Sequence, residues 1–494
     1  MSKAQPFSKD ILYDFSLQKT YTGRDALQIA MPLGGIGAGC VCINGQGGLQ
    51  DFSIRHKPDT TALPDEYQDR VNTDAAFALL HLPGQKITRL VEGPMPSEKM
   101  YDQSLKSQGY RSGGHEGLPR FRNCAFRGEF PFAYVSLSDP AIPLGVEITA
   151  FNPFIPLDDK NSGLPCAILE YRLTNPTNES VPYEFSYHLS HLAPGQDELS
   201  QHTTRNTAIP GGVFMDNREP DGSAFHGSCT LGVIGHDPLV KAMWFRGGWF
   251  DSISALWREV STGTFEPNPG STDADDQASE GHYRDDRKRR NGGSILMKGM
   301  LAPGESACYP IVIAWHFPNV DYAFGGPKDP SGTEAAPSGC GCKGGACEPK
   351  PRWRPYYAGQ WADARAVFTH VQQQYDQLRG RTQRFHDALF NSTLPAYVLD
   401  AISANLAILK SPTVLRQENG NVWAWEGCYC DKGCCSGSCT HVWNYAQAMP
   451  HLFPRLERTL REQELLRSMD EQGHVNFRAA LPDGPATHSF HAAA

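Results

Sequence analysis

The sequence predicts a large antiparallel β-sandwich followed by a helical region. Three observations carry that prediction. From about residue 20 to 320, short runs rich in Val, Ile, Phe, Tyr and Thr are broken every ~8–15 residues by Gly, Pro, Asn or Asp, the pattern of successive strands and turns. The chain holds 48 Gly and 37 Pro among 494 residues, an excess suited to many tight turns. Past about residue 356 the apolar residues fall at helical spacing instead.

Taken in order, MPLGGIGAGC (31–40) comes first. It has the glycines of a phosphate loop but no GK[ST], and VCINGQGG follows as strand and turn, so the spacing predicts a closely packed β-hairpin. The segments 166–175, 183–192, 240–247 and 307–317, with the residues around 228–232, read as strands, several alternating apolar and polar side chains. The polar, charged stretch 271–293 reads as a solvated loop. These define a β domain over 20–350. A linking helix over 356–390 follows, with Ala364, Val367, Phe368, Val371, Tyr375 and Leu378 on one face. A further domain over 391–494 opens with helical patterns at 394–411, 441–449 and 454–473. Ser392 or Thr393 serves as the expected N-cap of the first, and Gly473 as the C-cap of the last.

Composition excludes several function classes. Forty-five Lys+Arg against 54 Asp+Glu give a net charge of −9, with no basic cluster to hold nucleic acid. No apolar run reaches the ~20 residues of a membrane helix. The opening residues lack the apolar core of a secretory signal. The expectation is a cytoplasmic protein without a transmembrane segment.

Eight of the 14 Cys fall in two loops, CGCKGGAC (340–347) and CYCDKGCCSGSC (428–439). Their spacing is not that of a standard zinc finger. Structural zinc, disulfides and free or redox-sensitive thiols remain as three readings, the disulfides disfavoured by a reducing compartment. No other cofactor is expected. The second loop follows Trp423, Trp425 and Glu426. Tryptophans beside a carboxylate suit a sugar site, where an indole stacks on the apolar face of a pyranose and the carboxylate meets the anomeric carbon. The competing reading makes the tryptophans core and Glu426 a cap.

The pieces MPLGGIGAGCV, FNPFIPLDDKNSGLPCAILEYRLTN (151–175), IAWHFPN (313–319), LPAYVLDAISANLAILKSPT (394–413), WEG (425–427) and THVWNYAQAMPHLFPRLERTLREQE (440–464) occur in this order along nearly the whole chain. Together they resemble glycoside hydrolase family 116, the family of bacterial β-glucosidases and non-lysosomal glucosylceramidase. The resemblance implies an N-terminal β-sandwich and a C-terminal (α/α)6 toroid, with a β-glucoside or other β-glycoside as substrate. It implies that Glu426 is the nucleophile of a retaining mechanism, and that His491 contacts sugar hydroxyls, with Trp425 beside the nucleophile. Thr440 and His441 stand near the place of a sugar-binding aspartate, and the Cys-rich loop is longer than the family's. The family places its acid/base aspartate farther beyond the nucleophile than Ala494 allows. The expectation is therefore a C-terminally truncated chain with the first helices of an incomplete toroid and without the acid/base residue. The second expectation is a catalytically inactive fragment whose β-sandwich acts as a packing or interaction module.

Overall fold

The computed structural model describes residues 8–14, 18–60, 75–98, 114–194, 204–245, 251–270, 291–325, 352–439, 447–476, 478–483 and 491–492. Two antiparallel sheets form the N-terminal domain. The larger has nine strands, in spatial order Thr20–Thr22, Asn123–Glu129, Phe132–Ser138, Gly145–Phe151, Cys166–Thr174, Ser306–His316, Ser228–Val233, Gly212–Asn217 and Thr204–Ile209. The smaller has five: Leu239–Lys241, Gly292–Leu301, Val181–Ser190, Ala76–Leu82 and Ile87–Leu90.

The strand period of two explains the packing. In Cys166–Thr174, Ala167, Leu169, Tyr171 and Leu173 point into the core shared with the five-stranded sheet, where Tyr171 meets Phe185 at 5.1 Å between ring centroids. Cys166 and Ile168 point the other way, into a second core against the linking helix. Where both faces are covered the strand is an unbroken apolar run, Cys166–Leu169, and past it polar residues alternate with apolar ones at Glu170 and Arg172.

The linking helix spans Ala364–Phe390 and starts at Asp363, whose carboxylate accepts the Ala366 N–H at 2.7 Å. Val367, Phe368, Val371 and Leu378 seat on the outer face of the nine-stranded sheet. Gly232 makes that seat: a β-carbon there would lie 2.3 Å from the Phe368 ring. Polar contacts fix the helix lengthwise. Glu170 takes two hydrogen bonds from Arg379, at 2.7 and 3.2 Å, and one from Tyr375 at 2.5 Å.

Farther along, His386 lies 2.8 Å from Glu129 and 2.9 Å from Asp387. Burial alone would lower its pKa, but the bonds to the two carboxylates outweigh it and raise the value. Arg127, 3.0 Å from Glu129, Gln383, and the rings of Phe132, Tyr134 and Phe390 complete its surroundings. A raised folded pKa gives stability that is full below the unfolded value of about 6.5 and is lost as pH rises through the folded value. The melting temperature is therefore expected to fall as pH climbs above about 6.5, and His386→Gln to flatten that slope. Equal slopes in the two proteins would contradict this.

The glycine-rich stretch is the expected hairpin: Ala30–Gly35 pairs antiparallel with Gly39–Asn44, and Leu49–Ser53 adds a third strand. Other expectations need correction. The strand expected at 240–247 ends at Lys241, because the following backbone turns aside to Asn268 and Gly292 and buries Trp244. In the stretch read as a solvated loop, 271–290 lie outside the described residues. Asn291–Gly293, by contrast, are buried, with the Asn291 amide bonded to Thr204 and Asn206. The first helix of the C-terminal region, Ala396–Leu406, begins after Pro395 with no side-chain cap; Ser392 bonds Leu394 in the preceding turn instead. The helix Pro454–Glu462 passes into a π-turn at Gln463–Arg467 and stops at Ser468. Gln463 there bonds the carbonyls of Val422 and Thr459, and Gly473, at φ +84°, closes a separate turn from Asp470.

These helices enclose a core of Leu406, Leu409, Val414, Val422, Phe453 and Leu456, which continues onto Phe154 and Ile36 of the N-terminal domain. Lys410 locks the junction, its buried ammonium donating to the Pro153 carbonyl at 2.8 Å and to Asn152. No helix among the described residues is long and apolar enough to cross a membrane.

Candidate functional site

Glu426 is presented by two small hairpins. In the first, Val414–Arg416 pairs with Val422–Ala424 across a turn that Gly420 closes at φ +96°. Asp483 ties this turn from outside, accepting from Gln417 and Asn419 at 2.7 Å each and from Asn421 and Arg467. Burial alone would raise the Asp483 pKa, but these four donors outweigh it and lower the value. A carboxylate so fully occupied anchors the turn. In the second hairpin, Gly427–Cys428 pairs with Gly433–Cys434.

Between the hairpins the chain is fixed atom by atom. The Trp425 N–H donates to Thr413 at 3.0 Å, and the Glu426 N–H is shared by the carbonyls of Cys434 and Cys435, at 3.0 and 3.2 Å. Trp423 and Trp425 are buried, 5.2 Å apart edge to face. Trp423 donates to Ala479 and Trp425 to Tyr322. Gly433 lies flat on the Trp425 indole, where a β-carbon would come within 2.1 Å of the ring. Trp425 thus has the packing of a core residue that fixes the backbone of its neighbour.

The Glu426 carboxylate emerges half-buried, its side chain 24% exposed, and pairs with the Arg478 guanidinium at 3.4 Å. Arg478 also donates to the Ser436 carbonyl. The arrangement is an accessible carboxylate on a rigid backbone, oriented by one cation. That is the chemistry of a nucleophile or an electrostatic stabiliser.

Of the expected site residues, Glu426 and Trp425 are adjacent in this arrangement. Thr440 and His441 lie outside the described residues. The backbone of His491 pairs with Asn476, two residues before Arg478. Sequence reasoning missed Arg478, which sits in no motif and is separated from Glu426 by 52 positions. The loop 340–347 lies outside the described residues. In the second loop Cys428, Cys430, Cys434 and Cys435 are free thiols and Cys439 is buried, and no group of three metal-ligating side chains occurs among the described residues. A surface hollow of about 450 Å³ is lined by Trp361, Asp363, Arg365 and His370, without Glu426.

The family description "beta-glucosidase 2, glycosyl-hydrolase family 116 N-term" matches residues 30–378. The chain belongs to glycosyl-hydrolase family 116. The matched region is the β-rich domain and most of the linking helix, so family 116 membership rests on the scaffold, and Glu426 lies beyond it. No curated protein matches this family 116 chain. Among solved structures it is similar to a human-microbiome protein assigned as a kojibiose phosphorylase, with 8% identity and a TM-score of 0.27. That match covers 55% of this chain and 25% of the other, so the chain spans about a quarter of that protein. It is also similar to a galactose mutarotase-like protein from Clostridium acetobutylicum, with 7% identity and a TM-score of 0.25, covering 57% of this chain and 94% of the other. Likeness at this level carries no argument about substrate or mechanism.

Proposed function

We propose that this chain acts in retaining hydrolysis of β-glucosides, with Glu426 as nucleophile. The observation that carries the reading is the half-buried Glu426 carboxylate, paired with Arg478 and held by its own N–H on two carbonyls, in a chain of family 116. In a retaining mechanism such a carboxylate attacks the anomeric carbon as the aglycone departs, and water later releases the sugar. Trp425 serves this reaction by fixing the Glu426 backbone. His491, Thr440 and His441 are proposed to reach the sugar hydroxyls, and the helices from Ala396 onward to form the first part of an (α/α)6 toroid.

General acid catalysis contributes about 10²–10⁴-fold for poor leaving groups, whereas a dinitrophenyl group departs without a proton, so an aryl glucoside of this kind reports on the nucleophile by itself. The test is release of dinitrophenol from its β-glucoside. A stoichiometric burst followed by slower turnover is expected; no release above that of buffer would overturn the proposal.

A further inference from the structure

The Cys434 and Cys435 sulfurs lie 3.5 Å apart. Successive side chains of an extended strand point to opposite faces. Here the hairpin ends in a turn, with Cys435 at φ +54°, a left-handed conformation uncommon for a residue with a β-carbon, and two neighbouring thiols meet. Cys435 is exposed and Cys434 half-buried. The carbonyls of these same two residues carry the Glu426 N–H, at 3.0 and 3.2 Å. Arg478, which orients the Glu426 carboxylate, bonds the next carbonyl along, that of Ser436. The dithiol and the carboxylate therefore share one piece of backbone.

We propose that Cys434 and Cys435 form a modification site: a vicinal dithiol that hydroperoxides oxidise reversibly to a disulfide, shifting Glu426 through the shared backbone. The effect on Glu426 rests on the nucleophile reading above; the oxidation itself does not. With hydrogen peroxide as oxidant, one thiolate attacks an oxygen, the O–O bond breaks, and a sulfenic acid and hydroxide result. The second thiolate attacks that sulfur, an S–S bond forms and a second hydroxide leaves. The two hydroxides take up the two thiol protons, so two S–H groups are oxidised and one peroxide is reduced to two waters.

Adjacent α-carbons stand about 3.8 Å apart across a trans peptide, whereas disulfides usually span ~4.4–6.8 Å. The ring closed by this pair is therefore strained, and strained, accessible disulfides are the readily reduced ones. Closing it turns the 434–435 peptide, and the Cys434 carbonyl, the nearer of the two that hold the Glu426 N–H, moves with it. Misplacing a reacting group by about 1 Å costs on the order of 10²-fold in rate.

The experiment treats the full chain with hydrogen peroxide, blocks residual thiols with N-ethylmaleimide and maps peptides by mass spectrometry. The expected product loses about two mass units between Cys434 and Cys435, with Cys439 alkylated, and dithiothreitol restores both thiols. Cys434→Ser and Cys435→Ser should each abolish the product, and Cys439→Ser should retain it. A link to Cys428 or Cys430, over-oxidation to sulfinic acid, or alkylation of both thiols would overturn the proposal. The oxidised and re-reduced proteins are then compared for attachment of a fluoroglucoside to Glu426, which should slow by ~10²-fold and recover. A disulfide without that slowing would overturn the coupling. Absence of attachment in both states, with the disulfide formed, would instead count against Glu426 as nucleophile.

Discussion

Replacing Arg416 with alanine is expected to destabilise the chain by about 3–5 kcal/mol, the cost typical of removing one partner from a buried ion pair. Arg416 is 1% exposed and pairs with Asp159 of the N-terminal domain. It also donates to the Asp159 and Gly420 carbonyls, at 3.3 and 3.2 Å, and lies 3.4 Å above the Tyr356 ring centroid. Its Cβ and backbone cover Gly37 at the tip of the glycine-rich hairpin. One side chain thus joins the sandwich, the start of the linking region and the hairpin that presents Glu426. Without it, the cation left to buried Asp159 among the described residues is Arg455, 3.8 Å away. The double variant Arg416→Met, Asp159→Leu should recover much of the loss, because apolar packing often replaces a buried ion pair without net cost. Urea titration reads both, as a shift of midpoint at unchanged slope. A loss below about 1 kcal/mol for the single variant would place the pair among those of little consequence.

Glu426→Gln is expected to abolish the dinitrophenol burst, by about 10³–10⁴-fold, while leaving the fold intact. The amide matches the carboxylate in size but carries no charge with which to attack the anomeric carbon. The contacts that hold residue 426 belong to its backbone N–H and to Trp425, and the substitution touches neither. The melting temperature should therefore stay close to that of the unaltered chain. Retention of the burst would show that another group attacks the sugar. A collapse of stability would show that the Arg478 pair holds the hairpin together, a structural role for Glu426.

How much could be read in advance followed from how local each cause is. Ser306–His316 was legible from its long buried apolar stretch, and Cys166–Thr174 from an apolar run that gives way to alternation at Glu170 and Arg172. The linking helix was legible because its buried side chains keep one spacing for six turns. The end of the strand at Lys241 was not, since it is set by Asn268 and Gly292, distant in sequence. Helix limits failed for a related reason: the π-turn at Gln463 answers to the Val422 carbonyl, which no capping rule sees.

At the site, Glu426 stood out from its two tryptophans. Their role, however, depended on Gly433, which closes the Trp425 face once the hairpin folds back. Arg478 left no trace in the sequence, and neither did the meeting of Cys434 with Cys435, which a single φ angle decides.

The most direct measurement of the central claim uses a dinitrophenyl 2-deoxy-2-fluoro-β-glucoside, which lets the covalent intermediate form and slows its hydrolysis. Mass spectrometry of the digested chain should then find one fluoroglucosyl group, ester-linked to Glu426 and absent from Glu426→Gln. Attachment at another carboxylate, such as Asp431 or Asp483, or attachment that persists in Glu426→Gln, would contradict the account.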